Sequence, residues 1–345
     1  LGRLTKYFYM KNSIILFCCF MIVIFAGCKT DPITPVVESS NISLISTYST
    51  NASTNAVYVL PISGRNYALI ADGSNGMQII DVTFVNSPDS VSAYDTEGSA
   101  NDVTAAGING DLYAFVSDYS NGLDIVDISN PLNPYLAGTL NAGIGLVNTS
   151  FVDASRNLLY LSAGAGNYQI YDISNLPGEP TLLNAGYTGS QSINSLYASG
   201  NYLYIACGDI GLKIIDVTNP SSPQNVSLTN TAGITSDVVV STGYAYVADS
   251  YNGMLIMDVS NPQAPVLKSK FTGSGQILAV YANNNNVFCA DNNYGVENVN
   301  VSNPNSPVEA GYLQTNSSAT GIMYFGGYIF MAAAEGGMAI FQPTN

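Results

Sequence analysis

The chain has 345 residues, 47% of them hydrophobic, with 9 basic and 24 acidic side chains and no His or Trp. The missing His excludes Ser-His-Asp and Cys-His nucleophilic catalysis, His-ligated zinc and the commonest general base near neutral pH. The acidic balance argues against nucleic acid as a partner, and length alone does not fix the domain count, because closed all-β architectures run past about 200 residues as one unit.

In chain order, Arg3, Lys6 and Lys11 precede an uncharged apolar run, 13–27, which reads as a secretory leader with Met10 its expected start and 1–9 an upstream extension. The run ends at Phe25-Ala26-Gly27-Cys28, which resembles a bacterial lipobox, with Phe25 standing where Leu is usual. That resemblance implies a lipoprotein signal peptide over 1–27 and a diacylglycerol thioether on Cys28 as the new N-terminus. Two or three acyl chains give stable attachment where one gives little. The expected location is the bacterial cell envelope, at the outer membrane on its periplasmic or cell-surface side. The competing reading is a plain signal peptide or a transmembrane anchor, but a run of about 15 residues is short for a bilayer span. Cleavage leaves 6 basic and 24 acidic residues, a formal charge of −18.

Residues 28–41 are polar, twice interrupted by proline and free of periodicity, the composition of a tether. Of the 5 cysteines only Cys207 and Cys289 lie beyond residue 28. The repeat described next puts them in non-adjacent units, so they read as buried small apolar residues, not a bridge.

From residue 42 one phrase recurs: LIADGSNGMQIIDV, FVSDYSNGLDIVDI, YLSAGAGNYQIYDI, YIACGDIGLKIIDV, YVADSYNGMLIMDV, FCADNNYGVENVNV and FMAAAEGGMAIFQP. Its closing residues, Asp81, Asp127, Asp172, Asp216, Asp258, Asn300 and Gln342, are spaced 46, 45, 44, 42, 42 and 42 apart. A period of about 40 to 50 residues made of short strands signals a β-propeller with one four-stranded blade per repeat. In the copy spanning 234–272, alternation and punctuation give an inner strand a, a turn at Thr242-Gly243, strand b, a hairpin at 250–253, strand c, a Ser-Asn-Pro-x-x-Pro link and strand d. The hairpin glycine suits positive φ, and the prolines end strand c and stiffen the link. Six copies are followed by a d-like strand and the seventh is not. Residues 42–50 have the look of that missing strand, so the expectation is an all-β, single-domain, seven-bladed propeller over 42–345. Its four-stranded antiparallel blades close into a ring when the N-terminal strand completes the last one.

The IIDV or IVDI core with its following SNP-x-x-P resembles the LVIVD-repeat family of exported bacterial and archaeal proteins, over about residues 42–342. The resemblance implies an envelope propeller and carries little functional content. The copies ending NVNV and FQP depart from it, as drift and chain-end capping.

Aligned by copy, the start of strand a carries Asn55, Asp102, Asn148, Asn194, Asp237, Leu278 and Thr320. Strand a lines a propeller's channel, so these form a polar ring at one mouth. The same face receives Asp72, Asp118, Asp249 and Asp291 at the ends of the b strands, and Tyr119, Tyr251 and Tyr294 in the hairpins. Repetition favours backbone capping as the work of the acids. No metal site is expected; Ca²⁺ is the cation that hard oxygen ligands would suit, with Asp102 and Asp237 the candidates. Hairpin tyrosines bring large amphipathic area to a contact surface at low entropy cost. With no His, no Cys-rich zinc set and no phosphate loop, no catalytic residue is named and no cofactor is expected. The reading is a non-enzymatic, monomeric scaffold that takes a protein or polysaccharide partner on this face. Two alternatives stay open: an acid-only glycan hydrolase, marked by acids from different blades converging in a deep pocket, and a Ca²⁺-stabilised structural surface protein.

Overall fold

The computed structural model describes residues 33–38, 41–140 and 145–344. The leader and Cys28 lie outside the described residues.

Seven antiparallel sheets follow one another around a ring. Blades 1 to 6 are simple meanders over 56–94, 102–140, 150–187, 195–229, 237–271 and 277–315. Blade 7 joins both ends of the chain: Ile42–Tyr48 pairs antiparallel with Gly337–Pro343. The ring therefore closes as the repeat count requires, and no blade edge is left by the open seventh copy.

Among the described residues there is no single central core. The buried apolar side chains form seven clusters, each shared by two neighbouring blades. Cys207 sits in the seam of blades 3 and 4 and Cys289 in that of blades 5 and 6, both as free thiols. Burial pushes the Cys207 thiol up to about 11 and that of Cys289 well above the usual range, so both are poor nucleophiles.

Two belts of hydrogen bonds stitch the blades together. On the outer rim every d strand carries a bulge against strand c. The bulge re-aims the next side chain at the neighbouring blade's proline link. Ser92, Ser227 and Ser269 donate to the Pro131, Pro262 and Pro304 carbonyls at 2.6, 2.7 and 2.6 Å. Ser46 of the N-terminal strand makes the same bond to the Val85 carbonyl at 2.5 Å, so the belt crosses the closure seam unchanged. The SNP-x-x-P link thus supplies an inter-blade acceptor besides stiffness.

The stretch read as a tether differs from expectation. Pro35–Glu38 forms a fifth strand on blade 6, paired with Val308–Thr315. Ile33 is buried with the apolar residues of the seam between blades 6 and 7. Two prolines and four residues of β structure gave no detectable alternation; the strand forms because an open blade edge offers its backbone groups partners.

Candidate functional site

Hairpins between strands b and c, and links between successive blades, lie on one face, joined by bridges such as Tyr119 to Val147 and Ser250 to Ile277. Turns between a and b, and the proline links, lie on the other.

On the link face the closing acid has one job. Asp81, Asp127, Asp172, Asp216 and Asp258 each accept through Oδ1 from the backbone N–H two residues on, at 2.8 to 3.1 Å. Asn300 does the same toward Ser302 at 3.0 Å. The hydroxyls of Ser174, Thr218 and Ser260, together with these backbone bonds, hold Asp172, Asp216 and Asp258 below the usual carboxylate range.

The hairpin face bears the channel mouth, a cavity of about 260 Å³ lined by Asn55, Asp102, Asn148, Asn194, Asp237, Leu278 and Thr320, all the residues of the expected ring. Two of them are not equivalent to the rest. The backbone N–H groups of Asn55, Asn101, Asn194 and Ser236 donate to matching carbonyls, those of Ala71, Ser117, Ala206 and Ala248. The true members of the ring are therefore Asn101 and Ser236, and Asp102 and Asp237 stand one residue further down the channel. Matching Asn to Asp by residue type misplaced them, because the links between blades vary in length and the backbone register cannot be read from side-chain kind.

The ring side chains themselves join blades. Asn55 donates to the Ala100 carbonyl at 2.9 Å and Asn194 to that of Thr235 at 2.9 Å. Ser236 reaches Ile277 at 3.3 Å, and Thr320 closes the belt on Thr54 at 2.9 Å. The ring is mainly an inner belt, matching the outer one.

Below it, Asp102 accepts from Thr149 Oγ1 at 2.8 Å, Ser150 N at 3.1 Å and Val103 N at 2.8 Å. Asp237 accepts from Val238 N at 2.8 Å and Val280 N at 2.9 Å. Both line the mouth and a second cavity of about 220 Å³ beneath it, where Tyr197 and Tyr281 appear. Burial pushes both carboxyls up, and the charge of Asp102 adds to the rise at Asp237. Every one of their oxygens already accepts a hydrogen bond. Among the described residues no three His, Cys, Asp or Glu side chains converge on a point where a metal ion could sit.

The acids ending strand b tie each hairpin to the link beside it. Asp72 accepts from Thr54 and Asn75, both at 2.8 Å, and Asp118 from Thr96 at 2.8 Å. Asp249 accepts from Gly233 N at 2.9 Å and Asn252 at 2.6 Å, and Asp291 from Gln276 N and Asn293 N at 3.1 Å.

The three hairpin tyrosines occupy three different positions, the first, second and third residue after the acid. Tyr251 is 74% exposed and Tyr119 39%. Tyr294 is only half-exposed, its ring lying over Gly275, where a Cβ would come within 2.6 Å of it. It offers less surface than the other two because a glycine in the neighbouring link gives the ring somewhere to pack. Tyr119 holds φ at +41°, a left-handed conformation that is costly for a bulky side chain. Leu146 and Ile234, in the links leading into blades 3 and 5, are exposed on the same face at 40% and 57%.

One set of residues was not found by sequence reasoning. Three places before the closing residue, blades 2, 4 and 6 carry Asp124, Lys213 and Glu297, all buried. Each turns toward the preceding blade: Tyr94 donates to Asp124, Lys213 Nζ donates to the Thr188 carbonyl at 2.9 Å, and Ser274 N donates to Glu297 at 2.8 Å. Burial, with Asp118 nearby, raises Asp124 to about 6. Burial raises Glu297 to about 7, and its Oε2 is buried without a hydrogen-bond partner. The available signal was that this position alone reads Gln, Asp, Gln, Lys, Leu, Glu, Ala along the repeats.

The fold and its sites define a closed seven-bladed repeat propeller with one uniform face and one varied face. The LVIVD repeat matches at residues 60–96, 97–142, 192–231, 232–273 and 274–315, and the chain belongs to that family. No curated protein matches it. Among solved structures it is similar to Sqt1 of Saccharomyces cerevisiae, at a TM-score of 0.67 and 10% identity over 90% of this chain and 100% of that one. It is also similar to the computationally designed protein Ika8, at 0.61 and 11% over 87% and 99%. At such identities these likenesses show the fold alone.

Proposed function

We propose that this LVIVD-repeat propeller is a non-enzymatic scaffold lipoprotein of the bacterial envelope, anchored through Cys28, that recognises a protein or polymer on its hairpin face. The observation that carries the reading is the break in symmetry there. The link face repeats one acid in one bond in five of the seven copies, whereas the hairpin face exposes Tyr119, Leu146, Ile234 and Tyr251 at positions that the other blades fill with small or polar residues. Exposed aromatics that the fold does not need, one of them on a strained backbone, are the usual anchors of a contact. Its test is capture from envelope extract by the wild type and by the Tyr119→Ala/Tyr251→Ala double variant. Loss of a specific partner is expected, Tyr294→Ala keeping it; unchanged capture by the double variant overturns the placement.

One observation favours a second reading. Asp102 and Asp237 come from blades 2 and 5 and meet in the same cavities within electrostatic reach, as an acid-only glycan hydrolase requires. Against it, each carboxylate is committed to backbone N–H groups of a neighbouring strand. Hydrolysis of a panel of aryl glycosides that disappears in Asp102→Asn and in Asp237→Asn would establish it; no turnover by the wild type removes it.

A further inference from the structure

The polar segment ahead of the ring leaves the molecule on a definite side. Ile33 is packed against Gly336 in the hairpin of blade 7, where any Cβ would come within 2.6 Å of it. Thr34 N donates to Asn316 Oδ1 at 2.7 Å, and Asn316 N returns a bond to the Thr34 carbonyl at 3.1 Å. Gly336 and Asn316 both belong to the hairpin face. From there Pro35–Glu38 runs down the edge of blade 6, and by Asn41, whose carbonyl accepts from Thr344 N at 2.8 Å, the chain has reached the link face.

This docking reverses the orientation that a free tether would give. A tether ending at residue 41 would leave from the link face. With Ile33 held, the chain departs from the hairpin face, and only five residue steps separate it from Cys28, a reach of about 18 Å at full extension. A globular domain of 100 residues has a radius of gyration of about 13 Å, so a soluble partner of ordinary size does not fit in that gap.

We infer that the hairpin face is the membrane-proximal face, turned toward the bilayer that holds the Cys28 lipid, so that what it recognises is met at that bilayer's surface. The inference rests on the lipid-anchor part of the proposed function. The exposed Tyr119, Leu146, Ile234 and Tyr251 suit an interfacial setting. The exposed acids of the same face, Asp95, Glu97, Asp209 and Glu335, point to zwitterionic headgroups and not anionic ones.

The test uses full-length lipidated protein in phosphatidylcholine vesicles. A fluorophore is placed at Tyr251→Cys on the hairpin face or at Leu132→Cys on the link face, positions 74% and 72% exposed in the free ring. A headgroup-bound quencher should quench the probe at 251 several-fold more than the one at 132. Equal quenching, or the reverse, in protein shown by mass spectrometry to carry lipid overturns the orientation and leaves the anchor standing. Absence of lipid on Cys28 overturns the anchor itself. The Ile33→Asp variant, confirmed as folded by its thermal melt, should lose the preference for 251, because its freed chain then leaves from the link face. A preference that survives Ile33→Asp shows that the docked segment does not set the orientation.

Discussion

The two faces of this ring are built from the same repeat and follow different rules. On the link face the acid of five copies makes the same bond to the backbone two residues on, from Asp81 through Asp258, and Asn300 makes it in a sixth. On the hairpin face the equivalent positions diverge: the residue after the b strand is Gly73, Tyr119, Gly164, Gly208 or Ser250, all at positive φ, and only one of them is aromatic. The difference separates two kinds of polar residue. Where a side chain serves the blade's own hydrogen bonding, the copies share one need and most carry the same answer. Where copies with the same backbone differ, the backbone is not what decides the residue.

The largest effect expected from that comparison is at Glu297, an unrepeated buried carboxyl. Its folded value of about 7 lies above the unfolded 4.5. The native state therefore holds the proton more tightly, and the stability this confers is complete below pH 4.5 and lost as pH rises through 7. Asp124 adds a smaller loss between about 4 and 6. The Glu297→Gln variant should flatten the decline and be more stable than wild type at pH 8, by on the order of 3 kcal/mol, in urea melts across pH.

A link-face acid should behave in the opposite sense. Asp127 holds Ser129 N at 2.9 Å and the Tyr135 hydroxyl at 2.9 Å. Asp127→Ala should cost about 1 to 2 kcal/mol in the same melts at neutral pH. The Asp172→Ala and Asp216→Ala variants should match it if the repeats are energetically alike. Tyr119→Gly should be neutral or stabilising by about 1 kcal/mol, because glycine accepts φ at +41° without cost. A destabilised Tyr119→Gly protein would mean that the ring contributes packing and is not held for contact. Smallest is Tyr251→Ala, expected within about 0.5 kcal/mol of wild type, as for a surface side chain with no structural partner.

Much of the fold was legible because a propeller's needs are local and repeated. The hairpin glycine, the proline link and the closing acid each solve a problem inside one blade, so the seven-fold period and the closure by Ile42–Tyr48 could be read directly. Of the candidate site, the gathering of Asn55, Asp102, Asn148, Asn194 and Asp237 at one mouth was legible for the same reason. The one-residue offset of Asp102 and Asp237 was not, since it depends on which carbonyl each N–H meets across a link of variable length. The packing of Tyr294 over Gly275 and the inter-blade contacts of Asp124, Lys213 and Glu297 were equally hidden. Each is a contact between blades, whose partners are far apart in the chain.

The sequence by itself determined the ring: its blade count, its closure, the chemistry of its turns and the reactions that a chain without His cannot run. Only the tertiary structure decided from which face the leading segment leaves the ring. Whether the leading segment hangs free from Asn41 or docks through Ile33 depends on an open edge of blade 6 and a glycine-lined seam against blade 7. Those partners stand nearly 300 residues away along the chain. Period and propensity report what a residue asks of its neighbours in sequence, whereas the docked strand answers to hydrogen-bonding groups that exist only once the ring has formed.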